Sequence, residues 1–488
     1  MKRVVGVWSG LGRVAGGVLA LAVSAAGAWA QEATEAAPAI DAGNTAWILV
    51  SAALVLLMTP GLALFYGGMV RGKNVLNMLM QSFVAMAIVS VLWAVAGYSL
   101  AFAKANPFIG SFEWVGLSGV TDAPDDFYAT TIPHNLFMVF QMMFAIITPA
   151  LISGAVAERM KFSAYVVFIA IWSLIVYAPM AHMVWGEGGY LATLGALDFA
   201  GGTVVHILSG ISALVLAIVL GKRKLSAHED TRPHNLPMTL IGTGLLWVGW
   251  FGFNAGSAVA ADGLSANAFV STHLAAASAA FAWMAIEWVA YKKPTALGFA
   301  TGAVAGLVAI TPAAGFVGPL PAIIMGFGVS FLSFFAIKLK AKLGYDDTLD
   351  VFGVHCVGGI FGALATGLFA QSRINPGLLA PEGGPEINGL FFGGGIELLG
   401  KQAVGVLIAV VFGAVMTFLI ASVLKLVMGG IRASDEEEGV GLDLTLHGEE
   451  AYNSPSSVVE AAHRGGMSHG AAPIGAAAVS ATPVAEAP

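Results

Sequence analysis

Charge is the scarcest resource in this sequence. Only 10% of its 488 residues are Asp, Glu, Lys or Arg, against roughly 25% in soluble domains. So few charges cannot wet the surface of so long a chain, which excludes a soluble globular protein. Basic residues are scarcer than acidic ones, 22 against 29, and the net charge is −7. That excludes nucleic-acid binding, which needs a basic face. A single cysteine, Cys356, rules out an intrachain disulfide framework and a cysteine-rich metal site. What remains is apolar, 57% hydrophobic residues with a mean hydropathy of +0.82. The solvent around most of the chain must be lipid.

The first thirty residues have the order of a removable signal peptide. Lys2, Arg3 and Arg13 precede and flank an apolar stretch, Val14 to Ala26, too short to span. Ala28, Trp29 and Ala30 then supply the cleavage region. Cleavage before Gln31 would leave residues 31–44 as a periplasmic segment; a short anchoring helix is the alternative. A spanning helix needs about 20 mostly apolar residues. Eleven such stretches follow, at 45–69, 75–103, 134–157, 162–183, 201–221, 236–259, 268–291, 296–314, 318–339, 351–371 and 402–428. With an outside start, 16 of the Lys and Arg beyond residue 30 fall inside and only Lys104, Arg373 and Lys401 outside. Cytoplasmic loops are expected to carry such an excess. The expected fold is an all-α membrane protein of eleven transmembrane helices, N-terminus outside and C-terminus inside. Residues 45–428 form its transport domain.

The fifth and tenth stretches share text. Both read Val-His-x-x-x-Gly-Ile, through His206 and Gly210 in one and His355 and Gly359 in the other. An aspartate precedes each, Asp198 and Asp350. Five spans separate the copies, so they must cross the membrane in opposite senses, the mark of two inverted five-helix repeats plus one extra helix. Ionisable side chains inside spans are costly and face the bundle interior. Packing alone would account for one such histidine. A symmetric pair instead offers two neutral imidazoles that share a proton and give polar contacts to a small molecule. Two histidines without an obvious third ligand make a poor metal site.

Pro60–Gly68, Gly154–Arg159, Asp198–His206, Trp250–Ser257 and Asp350–His355 resemble segments of the bacterial ammonium transporter (Amt/Mep/Rh) family, and the resemblance covers residues 42–453. It implies a homotrimer in the inner (plasma) membrane with one conduction path per subunit, no cofactor and no enzymatic activity. It also implies roles. Phe140, Trp185 and Ser257 match an outer site that recruits ammonium, or methylammonium as its analogue. Phe144 and Phe253 match a pore gate, His206 and His355 the twin histidines of the lumen, and Asp198 a residue that shapes the outer site. Tyr177 and Trp250 match further pore-region aromatics. The chemistry suits these roles, since aromatic faces attract cations while a bare ion in an apolar constriction is prohibitively costly. Ammonium would give up its proton near the gate and pass as ammonia. By spacing alone, core packing or a membrane-interface belt would account for the aromatics.

Beyond Met428 the composition turns polar. Residues 429–453 resemble the family's cytoplasmic regulatory tail, which implies a PII-type protein as partner. Residues 454–488, rich in Ala, Gly, Pro and Ser, are expected to be disordered. Glu187, near the presumed vestibule, and the stretch 373–400 carry no assigned role. Two rival functions stand beside transport: a sensor acting through the tail, and a Rhesus-type neutral gas channel. A membrane enzyme lacks a positioned nucleophile or metal set.

Overall fold

Long apolar runs in lipid leave the backbone no water to bond to, so its polar groups must be satisfied within the segment. The computed structural model shows the result over the residues it describes, 40–224, 231–380 and 384–452. The expected signal segment, 1–30, and the tail beyond 453 lie outside the described residues. Among the described residues, ten helices are long and apolar enough to cross a membrane: α1 (Ala42–Met69), α2 (Gly72–Phe102), α3 (His134–Val156), α4 (Phe162–Leu194), α5 (Gly202–Leu220), α6 (Leu236–Ala258), α7 (Gly263–Tyr291), α9 (Pro319–Leu343), α10 (Phe352–Phe369) and α11 (Glu397–Val427). An eleventh apolar helix, α8 (Ala296–Ile310), is shorter. No β-strand forms among the described residues.

Several boundaries differ from the sequence expectation: α4 runs on to Leu194 rather than 183 and α7 starts at Gly263 rather than 268, and two further differences have visible reasons. The stretch 296–314 yields only the 15 residues of α8, because Pro312 follows at once and the chain continues in turns. Fifteen residues rise about 22 Å, short of the roughly 30 Å hydrocarbon core. The last span starts at Glu397 rather than 402: its added first turn buries Leu398 in a cluster with Leu197 and Phe316, with an ion pair between the exposed Glu397 and Lys401 (2.7 Å, four residues apart) on its outer side.

The two halves of the bundle pack as counterparts. α1 lies along α6 and α5 against α10, while α3 meets α5 as α8 meets α10. On the exterior, Leu407, Val411, Val415, Phe418, Val423 and Leu426 of α11 are exposed, an apolar surface suited to lipid.

At one end of the bundle, here termed the tail face, the C-terminal segment packs back on the helices. A short helix α12 (Asp435–Val440) opens with a capping box from Ser434 and Glu437. Asp443 accepts the backbone N–H groups of Leu76 (3.0 Å) and Asn77 (2.8 Å). Asn74 accepts from Leu442 N–H at 2.9 Å, and Arg432 Nη2 binds Glu438 at 2.8 Å. Beneath lies a buried ion network. Glu158 takes Arg71 Nη2 at 2.9 Å and Arg223 Nη1 at 3.1 Å, and Arg223 Nε reaches Asp346 at 2.9 Å.

Breaking a buried pair costs far more than the pair adds. Glu158→Gln should therefore lower stability by about 3 kcal/mol, read as a fall in the thermal unfolding midpoint of the detergent-solubilised protein. Acid should act on the same network. Burial alone would raise the Asp346 carboxyl, but the hydrogen bonds and charge of Arg223 outweigh it and hold the group at about 2, against about 3.9 when unfolded. A carboxyl lowered in this way stabilises the fold above its unfolded value and stops doing so as pH falls through its folded value. The midpoint should stay level from pH 7 to about 4 and then drop toward pH 2. Asp346→Asn should lower the plateau and flatten that limb; an unchanged limb would remove Asp346 as its source.

Candidate functional site

Both histidines sit in wide π-helical turns, His206 in Gly202–Ile207 and His355 in Phe352–Cys356, a geometry frequent where helices carry function. The residue five positions before each histidine is left-handed, Gly201 at φ 111° and Asp350 at φ 62°. Eight positions before each stands a capping aspartate. Asp198 accepts the N–H groups of Gly201 (2.9 Å), Gly202 (2.7 Å), Thr203 (2.7 Å) and Val204 (3.2 Å). Asp347 accepts that of Phe352 at 2.7 Å. The structural partner of Asp198 is therefore Asp347. Asp350, which the sequence comparison set beside Asp198, is instead ion-paired with Lys340.

The shared glycine four residues after each histidine has a steric reason. A Cβ on Gly210 would stand 2.3 Å from Cys356 N, and one on Gly359 would stand 2.9 Å from Gly202 O. Each glycine thus makes room for the backbone of the other histidine's turn. The close crossing brings the imidazoles together, with Nδ1 to Nδ1 at 3.3 Å and ring centroids 5.3 Å apart. One Nδ1 must carry a proton and the other accept it, so the pair holds complementary tautomers. His206 Nε2 is buried with no hydrogen-bond partner among the described residues.

Both rings face a slit of about 10 Å³ whose other walls are Met58, Leu62, Phe65, Ile147, Leu151, Val205, Leu246, Trp250, Phe253 and Val304. That is room for one molecule the size of water. Trp250 stacks on His206 (5.4 Å between centroids, 24°) and is fixed by its Nε1–H donating to Thr311 Oγ1 at 2.9 Å. Phe253, one turn on, lies 6.0 Å from His206. Above it an aromatic column continues: Phe253 to Phe144 at 4.2 Å, Phe144 to Phe140 at 5.0 Å and Phe144 to Trp185 at 6.3 Å. Trp185 is partly exposed at its end, and its Nε1–H donates to the backbone O of Asp198 at 2.9 Å. Ser257 Oγ, also partly exposed, donates to Phe253 O at 2.8 Å. Its hydroxyl proton is thereby committed inward and its lone pairs are left to accept.

Residues 46–452 match the model of the Ammonium Transporter Family. The chain belongs to that family. The ammonium transporter of Bacillus subtilis (strain 168) is 53% identical over 411 residues, which cover 84% of this chain and 98% of that relative. The crystal structure of Saccharomyces cerevisiae Mep2 matches with a TM-score of 0.76 and 36% identity, over 82% of this chain and 92% of the other. The solved structure of a sensor Amt protein matches with a TM-score of 0.74 and 30% identity, over 83% and 98%.

In this member of the ammonium transporter family, nine of the ten residues singled out from sequence fall on the column or directly against it. Tyr177 does not. It is buried in a π-helical turn of α4, its ring 6.0 Å from Trp93, and it is not among the slit's walls. Phe140 is buried rather than open to the mouth, its ring against Gly256, where a Cβ would approach it to 3.0 Å. Glu187 is ion-paired with Lys104, so its charge is met locally. Within the stretch 373–400, Gly389 lies against the end of α10, its N–H donating to Ala370 O at 2.8 Å. Among the described residues no three His, Cys, Asp or Glu side chains converge as a metal site. Sequence reading missed Thr311, Asp347 and the aliphatic walls. Equal eight-residue spacing to the histidines could have found Asp347; nothing marks one valine as a pore wall.

Proposed function

We propose that this chain is an ammonium transporter that recruits ammonium at a mouth formed by the partly exposed Trp185 and Ser257, with Phe140 buried behind them. It then passes ammonia between Phe144 and Phe253 and along His206 and His355. The observation that carries the reading is the meeting of two imidazoles, 3.3 Å apart, inside a narrow apolar slit under an aromatic column. A cation is welcome at the mouth, where ring faces contribute about 0.5–2 kcal/mol each, and very costly in the slit. Deprotonation at the gate resolves the conflict. The released proton returns outward or follows through the paired rings, and Asp198 shapes the mouth through the backbone it caps.

The same reading sets the chain in a bacterial inner membrane as a homotrimer with eleven spans. Residues 1–30 would be a cleaved signal, the mouth would face outward and the tail face inward. Transport is favoured over sensing because identity is 53% to a relative named an ammonium transporter and 30% to the sensor Amt protein. The partly exposed Trp185 and the accepting hydroxyl of Ser257 favour capture of a cation over passage of a neutral gas.

Expression in a strain lacking ammonium uptake should restore growth on limiting ammonium and confer uptake of labelled methylammonium. Failure of both would overturn transport. Purified protein in proteoliposomes then separates the proton's fates: a current on ammonium addition means the proton follows, while silent flux means that it does not.

The tail segment 434–452 acts as a regulatory latch, to which a PII-type protein would dock. Asp443→Ala removes the acceptor of two backbone N–H groups at the start of α2 and should free the segment. Hydrogen exchange in residues 435–447 should rise at least about tenfold, since one buried hydrogen bond to a charged group contributes about 1.5–3 kcal/mol. Unchanged exchange would mean that Asp443 is not the anchor.

A further inference from the structure

The first turns of α11 carry a buried polar side chain to which the transport route gives no task. Gln402 is 2% exposed, and its amide is spent entirely on backbone. Oε1 accepts Leu197 N–H at 2.6 Å, and Nε2 donates to Leu197 O at 2.8 Å and Ala363 O at 2.9 Å. The network fixes the amide's orientation, because the reverse would set donor against donor and acceptor against two acceptors. Gln402 therefore grips both polar groups of a single residue. That residue immediately precedes Asp198, whose carboxylate caps the His206 turn and whose backbone O holds the Trp185 indole.

We infer that Gln402 is a positioning residue for the capture site: its clamp on Leu197 fixes where Asp198 stands and so where the Trp185 ring is presented. The inference rests on Trp185 being a capture residue. A general tie between helices would be a poorer account, because α11 has a separate one. Thr417 donates to Ser212 at 2.8 Å and accepts from Trp172 at 3.2 Å, well along the helix from Leu197. The titratable groups around Gln402 are few. Asp198 lines the same small cavity, and the neighbouring Lys401 is paired with Glu397.

Methylammonium uptake into proteoliposomes, measured against concentration at several pH values, tests the clamp. Gln402→Leu should raise the half-saturation concentration about tenfold, what 1.4 kcal/mol of lost placement amounts to, with a smaller change in maximal flux. Thr417→Val, the control on the same helix, should stay within about twofold of the parent on that scale. Gln402→Glu supplies a signature that packing damage would not. Protonated, a carboxyl has one O–H donor and one carbonyl acceptor, enough to keep both bonds to Leu197 but not the second donation to Ala363; ionised, it has only acceptors and faces two carbonyl oxygens. Buried carboxyls titrate above their ordinary value. Relative to the parent at each pH, half-saturation of this variant should recover in part below about pH 6, where the grip on Leu197 is restored, and worsen above about pH 7.5.

Parental half-saturation in Gln402→Leu, or a defect in Gln402→Glu that does not follow pH, would overturn the clamp. Should the leucine variant fail to fold, the glutamate series decides. Trp185→Leu separates the two ideas. If it leaves half-saturation unchanged, the capture-site reading itself falls. If it raises half-saturation while both Gln402 variants do not, only the clamp falls.

Discussion

Leucine at both His206 and His355 should reduce methylammonium uptake by at least about a hundredfold while the protein stays folded. A small amine entering the slit leaves its water behind, and an unreplaced hydrogen bond costs roughly 2–7 kcal/mol. At 1.4 kcal/mol per decade, the lower end alone is more than tenfold and the middle exceeds a thousandfold. Among the slit's walls only the imidazoles have polar atoms to offer, since the Trp250 N–H is committed to Thr311, and His206 Nε2 has no partner among the described residues to give up first. The double variant removes both and leaves a dry, entirely apolar passage. Folding should survive, because the two polar groups are removed together and leucine comes near the volume of imidazole, a change that is often close to neutral. A single variant, His355→Leu, keeps one imidazole and should lose less. Normal uptake by the double variant, at equal protein density in proteoliposomes, would sink the proposed route.

Much of this arrangement was legible in the chain before any coordinates. Hydropathy located the apolar helices, most of their ends to within about five residues, since lipid tolerates few alternatives to a helix; α4 runs further, to Leu194 rather than 183. The errors came where hydropathy was not the deciding force. A proline shortened α8, and the packing of Leu398 against a separate segment lengthened α11. The repeated Val-His-x-x-x-Gly text marked the histidines, and the structure supplies its cause, because each glycine admits the opposite backbone. The pairing of the aspartates differs from the sequence reading. Asp350 was set beside Asp198 on position in a similar phrase, whereas the capping role in the second turn belongs to Asp347. Gln402 was invisible because its partners, 205 and 39 residues away, are backbone atoms that leave no trace in side-chain identity. The ion network of Glu158, Arg71, Arg223 and Asp346 joins four separate segments. A hydropathy profile counts those charges and does not pair them.

Asp198 should be the least replaceable residue near the mouth, even by its closest isostere. Four backbone N–H groups converge on its two carboxylate oxygens at 2.7–3.2 Å, two on each. Asparagine keeps the shape but turns one oxygen into an NH2 group facing two donors. At least two charge-assisted bonds are lost at about 1.5–3 kcal/mol each, a large share of the 5–15 kcal/mol that holds a typical protein together. Asp198→Asn should therefore lower the thermal midpoint, and uptake per folded molecule should fall at least about a hundredfold. The second effect follows from position rather than contact. The cap sets the start of the turn that presents His206, while the same residue's carbonyl holds Trp185, so a shift here misplaces the mouth and the slit together. Half-saturation and maximal flux should change jointly, unlike Gln402→Leu, which acts mainly on half-saturation. A stable Asn variant with parental uptake would show that the carboxylate's charge does not hold the turn, and the link between Asp198 and both ends of the route would be lost.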